Sequence, residues 1–125
     1  MESRGIVSFY AADAVRLRFK GTVDMDSVLA LCDEIDLAIS YYQYPQVVVE
    51  LESPGGDLRA LDHYTSRLTG WRQKYDLRVA TLGLGNVASA AAVMLSLGDV
   101  GSRQSTDRRT YCTIIRVRYF LERRT

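Results

Sequence analysis

The sequence predicts an α/β domain in which a largely parallel sheet is covered by helices. Short β-branched runs alternate with longer segments of three- and four-residue apolar periodicity, and two strand-to-helix junctions are rich in glycine. The 125 residues suffice for one hydrophobic core and little more. Composition agrees: 47% of residues are apolar and 25% charged, as in an average globular protein.

Ile6–Tyr10 and Val15–Phe19 read as short strands, the second from the alternation in VRLRF, with AAD as the turn between them. Gly21 breaks the pattern. Asp24 or Asp26 is placed to cap a helix through SVLALCDEIDLAISYY, whose Val28, Leu31, Ile35, Ala38 and Ile39 recur on one face. Pro45 ends the connection, and VVVEL, Val47–Leu51, is short and β-branched enough for a buried strand. SPGGD follows at once. A second helix is expected from Leu58 to Lys74, with Leu61, Tyr64, Leu68 and Trp71 along one stripe. LRVATL, Leu77–Leu82, supplies another strand, Gly83 and Gly85 a sharp turn, and the small-residue segment Ala88–Leu97 a further helix. There is no internal repeat, linker or low-complexity stretch.

The segment 104–125 differs from the 1–103 core. Arg108, Arg109, Arg116, Arg118, Arg123 and Arg124 crowd it, around a strand-like TIIRVRYFL. These arginines lack the aromatic-basic pattern of a nucleic-acid reader, and the alternating RVRYF reads better as an edge strand with a solvated basic face. The formal net charge of +1 gives no general attraction to nucleic acid or to an anionic membrane. Cys32 and Cys112 form no CxxC or Cys/His cluster, so no metal, disulfide framework or organic cofactor is expected. No apolar run reaches membrane-spanning length and no signal-peptide pattern opens the chain, which predicts a cytoplasmic protein.

Two junctions are suited to chemistry. In SPGG, a glycine pair directly after a buried strand lets the backbone take positive φ and expose N–H groups to an oxyanion, although Pro-Gly is also a common plain turn. In GNVASAAA, Ser89 falls at the start of a helix, where free amides and the positive end of the helix dipole stabilise developing negative charge. A serine there is also an ordinary N-cap. Successive βα turns of a parallel sheet open at one edge, so Gly56 and Ser89 are expected to meet across a cleft.

The pair of motifs resembles the Clp protease proteolytic subunit family of the ClpP/crotonase superfamily, in which a strand ending in SPGG precedes a helix, a strand and a G-x-x-A-S-x-x-A turn. GTVD, Gly21–Asp24, is similar to the family's G-x-[IV]-[DN] opening, and GDVGSR, with Gly98, Gly101 and Arg103, to its G-x-x-G-x-R. The likeness runs from about Gly21 to Arg103, about two thirds of the chain, and departs from the family in a second helix about one turn longer.

The resemblance implies a ββα superhelix, incomplete at the C-terminus, and a serine endopeptidase subunit working through an acyl-serine. Ser89 is then the nucleophile, and the backbone N–H groups of Gly56 and Ala90 form the oxyanion hole. It also implies peptide or unfolded-protein substrates, a homo-oligomer and an ATP-driven unfoldase as a further partner, with no nucleic acid and no membrane.

The family's histidine falls on Ile114, which cannot accept a proton, and its aspartate falls beyond Thr125. The only histidine is His63, on the helix after SPGG, where a surface or packing role is the ordinary one. Without a base, a feeble peptidase or none is expected. The family likeness stops at Arg103, and TYCTII read two nucleotides out of frame permits three consecutive histidines at about residues 112 to 115. This predicts a frameshifted C-terminal segment, which sequencing of the encoding DNA tests. Two alternatives stay open: a non-catalytic assembly subunit of the same fold, and a crotonase-type acyl-CoA enzyme, which shares the paired amides but not the serine.

Overall fold

A computed structural model describes residues 6–10, 14–44, 46–99 and 103–105. Five strands form one sheet in sequence order: β1 (Ile6–Tyr10), β2 (Ala14–Lys20), β3 (Gln46–Ser53), β4 (Arg78–Val87) and β5 (Arg103–Ser105). β1 runs antiparallel to β2, and every later pair is parallel. Three helices make the crossovers, α1 (Met25–Asp36), α2 (Leu58–Tyr75) and α3 (Ala90–Ser96). The mixed α/β architecture with a mainly parallel sheet is thus present. The AAD turn, Pro45, Gly101, Cys112, Ile114 and the TIIRVRYFL segment lie outside the described residues.

Alternation sorts β2 between its two faces. Val15, Leu17 and Phe19 are fully buried with Val47, Val49 and Leu51 of β3, while Arg16, Arg18 and Lys20 face outward. The same cluster takes in Val28, Leu31 and Ile35 of α1, and Leu61, Tyr64, Leu68 and Trp71 of α2. The helices therefore cover one face of the sheet. On the other, Glu50 is 3% exposed, held by Arg16 and Arg18 at 3.1 Å each. At the core between α1 and α2, burial pushes the Cys32 thiol up to about 11, against the nearby Arg67 and helped by Asp33. Burial also raises the Tyr64 hydroxyl well above its ordinary range.

Local chemistry explains where the elements begin. Asp24 caps α1: its Oδ1 accepts from Ser27 N–H at 2.8 Å, and Ser27 Oγ accepts from Asp24 N–H at 3.0 Å. The expected helix through Tyr42 instead widens after Asp36 into a π-helical turn, Leu37–Tyr41, closed by Tyr42 N–H on Leu37 O at 3.1 Å. Ala38 and Ile39 both stay in the core through that turn. Gln43 then takes φ 59° as the chain leaves the helix.

β4 departs most from expectation. Gly83 and Gly85 do not turn the chain sharply; the strand continues to Val87. Leu51 pairs with Gly83 but Ser53 with Val87, so four steps along β4 answer two along β3. Gly85, at φ 63°, sits inside this bulge. The slip moves the turn to Ala88–Ser89, and helix α3 starts at Ala90 rather than Ala88. A short β5 also forms where no strand was expected, and it spans the boundary drawn at residue 103.

Candidate active site

Both glycine-rich junctions open at the C-terminal edge of the parallel strands. Beyond Ser53 the chain is held on two sides. On the β2 side, Gly21 N–H donates to Glu52 O at 3.0 Å, Val23 N–H to Gly55 O at 2.8 Å and Asp57 N–H to Val23 O at 2.8 Å. GTVD is thus a strap that prolongs the sheet alongside SPGG, with Val23 bridged to Gly56. On the β4 side, Ala88 N–H donates to Ser53 O at 3.0 Å.

Both glycines of SPGG are required by this packing. A Cβ on Gly55, whose φ is +103°, would stand 2.5 Å from Ser89 Cβ and 3.1 Å from Ser89 Oγ. Gly55 is therefore pressed directly against the serine. A Cβ on Gly56 would be driven into the Val23 carbonyl. Sequence reasoning assigned a role to Gly56 and none to Gly55 or Ser53; the GG pair was the available signal, since a turn alone needs only one glycine.

Backbone alternation fixes where the amides point. Gly55 C=O and Asp57 N–H both face Val23, so the N–H and C=O of Gly56 between them face the opposite way, toward the side on which Ser89 lies. Gly55 N–H is already taken by Ser53 Oγ at 3.1 Å. Gly56 N–H has no partner among the described residues, and Gly56 is exposed.

Ser89 sits at φ 55° and ψ −126°, a conformation that a residue with a Cβ adopts only under constraint. Its carbonyl accepts from Ala92 N–H at 3.0 Å, but its side chain makes no capping bond. The ordinary N-cap role is thus not the one it fills. Ser89 is exposed while Ala90, Ala91 and Ala92 are buried, their small side chains letting α3 pack closely on the sheet. Ala90 N–H, the first of the helix, donates to no partner among the described residues.

The far end of α3 is anchored by side chains. Thr81 Oγ1 donates to Leu95 O at 2.6 Å, Arg72 Nη2 to Leu97 O at 2.6 Å, and Arg103 Nε to Gly98 O. Asp99 holds Arg72 at 3.0 Å and accepts from Val79 N–H at 2.8 Å. Five carbonyl and carboxylate contacts from three elements thus hold the helix that carries Ser89 against β4.

His63 lies half-buried on α2, its Nε2 shielded from water without a hydrogen-bond partner. Among the described residues Ser89 Oγ has no hydrogen bond either, so no Ser–His pair is formed there. The structure brings the Gly55–Gly56 turn against Ser89 and Ala90, while His63 makes no hydrogen bond to Ser89 among the described residues. No helix of the described residues is long and apolar enough to cross a membrane. No protein-family model matches the chain, and no curated protein matches it significantly.

Proposed function

We propose that the chain is a ClpP-like serine endopeptidase subunit built on the ββα superhelix of the ClpP/crotonase superfamily, acting in the cytoplasm on peptides or unfolded proteins. Ser89 is its nucleophile, and the N–H groups of Gly56 and Ala90 are its oxyanion donors. The observation that carries this reading is the conformation of Ser89: strained at a strand-to-helix turn, exposed, and packed on Gly55.

The chemistry divides between backbone and side chain. Attack of Ser89 Oγ on a peptide carbonyl moves charge to the carbonyl oxygen, where two amides stabilise it without reorganising. The hydroxyl proton needs an acceptor, and none is hydrogen-bonded to Ser89 Oγ among the described residues. With Ile114 where the family's histidine falls, feeble turnover or none is expected of the chain.

A fluorophosphonate probe tests the reading, because it reports nucleophile and oxyanion hole rather than turnover. Modification mapped by mass spectrometry to Ser89, and lost in Ser89→Ala, is the expected result. Absence of labelling favours the second reading, a non-catalytic assembly subunit of the same fold, to which the lack of a hydrogen bond on Ser89 Oγ among the described residues points. Homo-oligomerisation and an unfoldase partner belong to both readings. Coenzyme A binding with no labelling would instead place the chain with crotonase-type acyl-CoA enzymes.

A further inference from the structure

At the edge of the sheet opposite Ser89, two helices end side by side. α1 with its π-turn feeds β3, and α2 feeds β4, so both C-termini lie at the start of the parallel strands. Between them is a cavity of about 310 Å³ lined by Ile39, Ser40, Gln43, Tyr44, Tyr75 and Leu77. Ile39 and Leu77 are buried and form apolar wall, while Tyr75 is 37% exposed. That volume is at the small end of ligand sites.

The electrostatics of this cavity favour one sign of charge. Helix C-termini carry the negative end of the dipole and carbonyls with no helical donor. Aromatic faces attract cations and repel anions. Tyr75 already behaves so: Lys74 Nζ stands 5.1 Å from its ring centroid. Lys74 lines a neighbouring cavity, with Asp36 and Trp71, and does not line the one between the helix ends; Tyr75 borders both. Outside the lining, Tyr42 packs beside Tyr44 with ring centroids 6.5 Å apart. The Ser40 hydroxyl donates to Asp36 O, leaving the walls mainly rings and aliphatic carbon.

We propose that this cavity is a binding site for a small organic ammonium ion, held by the rings of Tyr44 and Tyr75 and the carbonyl ends of α1 and α2. It is independent of the chemistry assigned to Ser89, which lies at the other edge of the sheet.

The test uses the full chain and tetramethylammonium chloride, followed by NMR of ring-labelled tyrosine. Saturable shifts of the Tyr44 and Tyr75 signals are expected, absent with equal sodium chloride and with tert-butanol, a neutral molecule of nearly the same shape. Tyr75→Leu should weaken binding about tenfold, as loss of one cation–π partner implies, whereas Tyr75→Phe keeps the ring and the affinity. No saturable shift, an equal response to tert-butanol, or loss of binding in Tyr75→Phe overturns the assignment. The phenylalanine variant retains the packing volume, so it decides the matter even if Tyr75→Leu fails to fold.

Discussion

Replacing Gly55 by alanine probes the contact on which the candidate site rests. The new Cβ would lie 2.5 Å from Ser89 Cβ, 2.8 Å from Ala88 O and 3.1 Å from Ser89 Oγ, too close for nonbonded atoms. Overpacking of this kind costs about 1–3 kcal/mol. Holding a residue with a Cβ at φ +103° adds about 1–3 kcal/mol. The sum, about 2–6 kcal/mol, is a large part of the stability of a domain this size, typically about 5–15 kcal/mol. In urea titrations followed by fluorescence of the buried Trp71, the midpoint should fall by about 1–3 M for a slope of about 2 kcal/mol/M.

Ser89→Gly gives the control. It removes the Cβ and Oγ collisions and relieves the backbone at φ 55°, so alone it should stabilise by about 1–3 kcal/mol. In that background Gly55→Ala should cost at least about 1 kcal/mol less than in the parent, a coupling that only neighbours show. If the two changes add to within about 0.5 kcal/mol, or if Gly55→Ala is as stable as the parent, the two loops do not meet as described.

Two further measurements follow from the buried polar groups. Glu50→Leu releases Arg16 and Arg18, 59% and 46% exposed, into water and should change stability by less than about 1 kcal/mol; the double change Arg16→Ala and Arg18→Ala strands a buried carboxylate and should cost about 2–4 kcal/mol, so equal effects in chemical denaturation would contradict the asymmetry. The Cys32 thiol ionises near 9.0 when unfolded and about 11 when folded, so the unfolded chain loses its proton first and stability falls as pH rises from about 9 to 11. Tyr64 shifts in the same direction, which makes the difference between the parent and Cys32→Ala the quantity to measure; that difference should change by about 1–3 kcal/mol across the window, and a constant difference refutes the assigned cause.

The fold was legible wherever burial follows a regular period. Val28, Leu31 and Ile35 at helical spacing, and Val15, Leu17 and Phe19 at strand spacing, are all core residues. What escaped was set by tertiary contact. Gly83 and Gly85 are turn formers by local preference, yet pairing of Gly83 with Leu51 and of Val87 with Ser53 keeps them in a strand. Sequence placed Ser89 at the right junction but could not assign its conformation, because φ 55° in a non-glycine residue reflects the packing of Gly55, 34 positions earlier in the chain. β5 is three residues long and carries no period to detect.

The strap formed by GTVD changes what SPGG can offer a ligand. A glycine pair has two amides, and sequence alone does not rank them. Here Ser53 Oγ consumes the amide of Gly55, and Val23 accepts that of Asp57. Among the described residues Gly56 N–H is the one of these three without a partner, and the alternation that Val23 imposes turns it away from Val23, to the side on which Ser89 lies. The donor is therefore selected by a segment more than thirty residues upstream in sequence, and its direction is fixed before any ligand arrives. Such preorganisation is what an oxyanion site requires and what a simple turn does not. A proton acceptor is a different demand: it needs a side chain, and the backbone that so tightly arranges the amides cannot provide one.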